Sequence, residues 1–167
     1  MNSSNLILNE PEYLSIKSIL AKMQNDLRAD LVLLISRSGQ QIAFEGPAQD
    51  VDLTSLASLA AANLAATNGL AHLIGEREFS VLYHQGRHRS IHISDLSKQF
   101  SLVLMFDETV SLGKVRWKVK RATASIEEIF AQFREKLELR KRDVATTLDE
   151  SAPRLFTDED MDKLFGH

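Results

Sequence analysis

Cysteine is missing from all 167 residues. Its absence excludes disulfides, thiolate metal sites and cysteine catalysis, and it suits a reducing compartment. A surplus of one charge sign is missing too, since 20 basic residues against 23 acidic ones leave a net charge of −3. That balance offers no bulk attraction to nucleic acid or to an anionic membrane. The N-terminal stretch MNSSNLILNEPEY has neither the basic start nor the long apolar run of a signal peptide, so a cytoplasmic location is expected. There is no Gly-x-x-x-x-Gly-Lys phosphate loop, no Gly-x-Ser-x-Gly elbow and no pair of carboxylates that the pattern places in one pocket. No catalytic residue, cofactor or metal site is therefore expected.

What is present is an ordinary globular composition, 44% hydrophobic and 26% charged. The length suits one domain with a proper core and a tail, and is too short for two ordinary domains with a linker. Pro11 stands where a first helical residue is tolerated. Tyr13, Ile16, Ile19, Leu20, Met23 and Leu27 follow at spacings of three and four, which predicts an amphipathic helix ending near Ala29. DLVLLIS, 30 to 36, is short and continuously apolar, as a strand buried on both faces would be. A turn at RSGQ, with Gly39 free to take positive φ, leads to QIAFEG as the second strand of a hairpin.

After Gly75 come FSVLYHQG, RSIHISDL and QFSLVLMFD, three further strands of which the last and most apolar should be central. A helical stripe from Ser111 to about Arg142 closes the domain, with Val115, Val119, Ile126, Phe130 and Phe133 among its apolar positions. Consecutive strands joined by tight turns predict an α+β domain, a mainly antiparallel sheet with helices packed on it. Residues 143–156 contain turn and breaker residues and read as a flexible linker. FTDEDMDKLFGH then supplies a capping Thr157, acidic residues in a first turn, and Met161, Leu164 and Phe165 on one face, a short amphipathic helix on a tether over 157–167. Three buried side chains would stabilise it by about 5 to 9 kcal/mol against about 10 kcal/mol or more of ordering cost, so it should fold only when docked.

The second helix is the most informative stretch. From Leu53 to Gly75 it holds no Lys, Arg, Asp or Glu. Successive residues set 100° apart put Leu53, Leu56, Leu59, Leu64, Leu70 and Ile74 in one broad sector, which is expected to pack on the sheet. The opposite sector carries Ser58, Ala61, Ala62, Ala65 and Gly69, flanked by Thr54 and His72. On a lone soluble domain that sector should carry Lys and Glu. Small side chains let another backbone approach closely, so these seven residues are expected to form a contact surface for a second copy or a partner. Helix propensity alone would also produce an alanine-rich face, and the complete lack of charge argues against that reading. A membrane span is opposed by Ser58, Asn63, Thr67, Asn68 and His72 and by flanking strands.

Two other groupings are weak. His84, His88 and His92 are spaced by four but fall across a turn between strands, where that spacing does not converge, so they read as ordinary surface histidines. KVRWKVKR, 114 to 121, places five basic residues beside Trp117, alternating with core positions, and reads as a solvated basic face.

TSLASLAAANLAATNGLAHLIGE, the following HQG, FDETVSLGKVR and the terminal DEDMDKLF together resemble the MglB-type proteins, bacterial members of the Roadblock/dynein-light-chain superfamily. The resemblance covers nearly the whole chain. It implies a Roadblock domain over 1–142, with a five-stranded antiparallel sheet in the order α-β-β-α-β-β-β-α, the second helix on one face and the first and third on the other. It further implies a homodimer that pairs second helices and joins sheet edges, and that binds a small Ras-like GTPase of the MglA type as two chains to one GTPase.

The implied activity is regulatory: stimulation of GTP hydrolysis by repositioning the partner's own catalytic residues, in bacterial cell polarity or motility, with location at cell poles. No arginine finger is nominated, although EREF and GRHR contain arginines. The C-terminal helix is implied to dock on the GTPase and influence nucleotide exchange, so cutting after Asp149 should weaken that contact and leave the domain folded. The alternative within the same fold is a scaffold that binds a GTPase or polarity protein without changing hydrolysis.

Overall fold

The computed structural model describes residues 9–150, with side chains described through 142. Met161, Leu164 and Phe165, and the tail helix expected to carry them, lie outside the described residues. The chain divides into two compact units, Met1–Ala131 and Gln132–His167.

Helix α1 spans Glu10–Leu27, opens with proline in its first turn, and ends where Arg28 turns left-handed (φ 48°). Strands β1 (Leu31–Ser36) and β2 (Gln41–Glu45) follow, then α2 (Leu53–Leu73), β3 (Val81–Gln85), β4 (Arg89–Leu96), β5 (Phe100–Asp107) and α3 (Leu112–Glu150). The sheet order is β2-β1-β5-β4-β3, antiparallel at every pairing. The expected element order and the central place of the most apolar strand, β5, are both observed.

The sheet separates two apolar layers because strand side chains alternate between faces. Leu31, Leu33, Ile35, Ile93, Val103 and Met105 form one layer with Ala57, Ala60 and Leu64 of α2. Val32, Leu34, Leu96, Leu102, Leu104 and Phe106 form the other, with Ile16, Leu20, Met23 and Leu27 of α1 and Val115, Val119, Ile126 and Phe130 of α3. Phe130 stacks on Phe100 with ring centroids 4.1 Å apart, and Lys118 of α3 pairs with Asp26 of α1. One helix therefore covers one face and two cover the other.

Two observations change the boundaries and contacts expected from sequence. α3 continues to Glu150, so residues 143–150 are helical where a linker was expected to begin. Nothing in DVATTLDE forbids a helix, since it contains neither glycine nor proline, and Pro153 comes only afterwards. Gly39 does take positive φ (82°), and a Cβ built there would lie 2.9 Å from the Ser58 Cα. The β1–β2 turn thus rests directly on the α2 backbone.

Candidate functional site

α2 begins at a built cap. Asp52 accepts a hydrogen bond from the Ser55 backbone N–H at 3.1 Å, satisfying one of the helix's open donors. Hydrogen bonding from Ser55 holds the Asp52 carboxyl below its usual range. From that start the helix turns Ala57, Ala60, Leu64 and Ala71 inward.

This corrects half of the sector expected to face the sheet: Leu53, Leu56 and Leu64 do pack on that layer, but Leu59, Leu70 and Ile74 do not. Leu59 is 68% exposed, Leu70 58% and Ile74 69%, and Leu73 is 82% exposed. The physical reason is distance: alanine at the contact lets the helix axis approach the sheet, whereas a leucine sector would hold it off. The stripe 57, 60, 64, 71 follows helical spacing and was available in the sequence, but the larger side chains drew the assignment.

The seven residues expected on the outer face mostly lie there. Thr54, Ser58, Ala62, Ala65, Gly69 and His72 are exposed, while Ala61 is half-buried against the α2 layer of the core. A Cβ added at Gly69 would meet nothing within 4 Å. Missed by the sequence reading were Leu59, Ala66, Leu70 and Leu73, which with Ala62 recur as a ridge at three- and four-residue spacing along the side directed away from the sheet. Uncharged, with several large apolar side chains open to solvent, this face has the character of an interaction surface rather than of scattered surface leucines.

The surface extends toward one sheet edge. β3 is one of the two terminal strands, and its His84 is exposed on the α2 side. The Asn63 amide nitrogen meets His84 Nε2 at 3.0 Å, tying α2 to that strand. Thr67 Oγ1 donates to Asn63 Oδ1 at 3.4 Å, so the Asn63 side chain is held from both sides. An edge strand beside an apolar helix face offers a partner two modes of contact, backbone pairing and side-chain packing.

The three histidines do not converge. His84 is exposed on β3, His88 is exposed in the β3–β4 turn, and His92 is 1% exposed on β4, which corrects its reading as a surface residue. Among the described residues no group of three or more His, Cys, Asp or Glu could hold a metal ion. Trp117 is 53% exposed, with Arg121 4.9 Å and Lys118 5.2 Å from its ring centroid. Among the described residues no helix is long and apolar enough to cross a membrane.

The model of the Roadblock/LC7 domain family matches residues 16–106. Among solved structures the chain is similar to Myxococcus xanthus MglB at 38% identity and a TM-score of 0.72, covering 77% of this chain and 96% of that one. It is similar to the gliding protein MglB of Thermus thermophilus at 34% identity and a TM-score of 0.70, covering 75% and 95%. A third structure, of MglB in a tetrameric arrangement, is 33% identical with a TM-score of 0.72, covering 77% and 97%. No curated protein matched.

Proposed function

Because this chain belongs to the Roadblock/LC7 family, and within it to the MglB-type proteins, we propose that it regulates a small Ras-like GTPase of the MglA type. The observation that carries this reading is the uncharged, exposed face of α2 beside the open edge of β3. Two copies joined through that region would present a double-helix platform, with the GTPase seated on the small residues Ser58, Ala62, Ala65 and Gly69. Thr54 and His72 would border it, and Ala61 would support it from beneath. The stoichiometry is two chains per GTPase.

In this reading the protein contributes shape rather than a catalytic group. It stimulates hydrolysis by holding the GTPase with its own catalytic residues repositioned, and no arginine enters the site. The name of the Thermus relative, a gliding protein, supports a place in motility, and a role in cell polarity with a location at cell poles is proposed alongside it. Residues 157–167, expected from their sequence to form a helix when docked, complete the proposal by docking on the GTPase and biasing nucleotide exchange.

The test is binding of the GTPase by the double variant Ala65→Arg, Gly69→Arg. Both positions are exposed, and Gly69 has open space around it, so the variant should fold. Two desolvated guanidinium groups at the platform should weaken binding by at least about a hundredfold. Binding within about twofold of the unaltered protein would refute this placement of the surface.

A further inference from the structure

On the sheet face opposite α2, β4 turns its polar side chains into the interior. Ile91 and Ile93 serve the α2 layer, and the intervening Ser90, His92 and Ser94 are polar yet buried. A strand with one polar face normally turns it to water. Here that face lies beneath α3 and borders a cavity of about 690 Å³, within the size range of small-molecule sites.

The lining has two parts. Inside are the ring of His92, the Thr123 and Ser94 hydroxyls and the Tyr83 ring, and toward solvent are Arg116 and Lys120 of α3. Both ring nitrogens of His92 and Oγ1 of Thr123 are buried with no hydrogen-bond partner. Leaving such groups unsatisfied costs about 1 to 3 kcal/mol each, which is why buried polar atoms almost always have a protein, water or ligand partner. Burial, with the Arg116 charge adding to it, lowers the His92 pKa to about 4. The ring is therefore neutral at pH 7 and offers one donor and one acceptor.

Neither Arg116 nor Lys120 forms an ion pair among the described residues. Two carboxylates, Asp95 and Glu127, also border the cavity. Glu127 accepts a hydrogen bond from the Ser97 backbone N–H at 3.2 Å, and burial pushes the Asp95 carboxyl pKa up. Val81, Val119 and Ala124 supply an apolar wall between the buried polar end and the cations.

We propose that this cavity is a binding site for a small organic anion, a carboxylate or a phosphate ester. Arg116 and Lys120 meet its charged group on the solvent side, and His92 and Thr123 hydrogen-bond its inner end. The site is separate from the α2 face, and the inference does not rest on the regulatory reading. Because β3 contributes Val81 and Tyr83 to the lining, an occupant would touch the sheet's free edge from the opposite side.

The test is a titration of the full-length protein with phenyl phosphate and, separately, benzoate, followed by NMR at the His92 ring and the Thr123 amide, with inorganic phosphate as the control lacking an apolar body. At least one organic probe should give saturable shifts at both positions, and which one does so identifies the anion class. Inorganic phosphate should bind at least about tenfold more weakly. The surface double variant Arg116→Gln, Lys120→Gln should weaken the probe by at least about tenfold with an unchanged melting temperature. No saturable shift at His92 and Thr123 with either organic probe, or a shift undiminished in the double variant, would overturn the proposal.

Discussion

His92 stands on β4 between two isoleucines, one residue from the α2 layer on either side. Its ring is held neutral by burial, with a pKa of about 4 against an ordinary 6.5. In the unfolded chain it would take up a proton near pH 6.5, and in the folded chain only near pH 4. The unfolded state therefore binds more protons between those values, so stability is full above about pH 6.5 and falls as pH drops toward 4. Solvent reaching the ring through the open cavity reduces the effect, leaving a loss on the order of 2 kcal/mol across that window. Urea denaturation at pH 7 and pH 4.5 should show this loss in the native protein, and His92→Leu should remove most of it. The same slope in the variant would assign the acid sensitivity to other groups, among them Asp95, whose carboxyl lines the same cavity and is pushed up by burial. Why the sequence concealed this residue is also visible at this scale. Alternation on RSIHISDL correctly gave a strand, but it could not show that the polar face lies under a helix some thirty residues away in the chain.

At the scale of elements, periodicity carried the prediction wherever a segment was long or strongly patterned. α1, the β1–β2 hairpin and the central β5 could all be read in that way, because spacing and turn residues act locally. The inward stripe of α2 was harder, because it depends on how closely the helix approaches the sheet, and that distance is set by the packing of the whole layer. Hydrophobic size pointed inward, whereas Ala57, Ala60 and Ala71 share the contact with Leu64, and Leu59, Leu70 and Leu73 remain outside. The sequence did reveal the element's main oddity, a helix without charge, and six of the seven residues expected on its outer face are exposed. The exposed leucines argue for self-association: Leu59 and Leu70 lie on the ridge, and burying each would contribute roughly 1.5 to 3 kcal/mol. Leu59→Lys with Leu70→Lys should raise the dissociation constant of the proposed dimer at least about tenfold in sedimentation equilibrium, with the circular dichroism spectrum unchanged. A dimer of undiminished strength would remove the ridge from the self-contact.

At the scale of the whole molecule, two surfaces lie on opposite faces of one sheet. The α2 face is apolar, uncharged and flanked by an open strand edge, which suits macromolecular contact. The other face holds a polar cavity beneath α3. The proposed occupant of the first is a small Ras-like GTPase. The central claim is therefore that binding at the α2 platform changes the partner's rate. The direct measurement is GTP hydrolysis by the partner Ras-like GTPase at fixed concentration, with increasing amounts of this protein. Acceleration of at least about tenfold, well within what GTPase activation can supply, should saturate near two chains per GTPase and vanish in the Ala65→Arg, Gly69→Arg variant. A GTPase that binds the protein at that surface and hydrolyses GTP at its unassisted rate would contradict the account and leave a scaffold in its place.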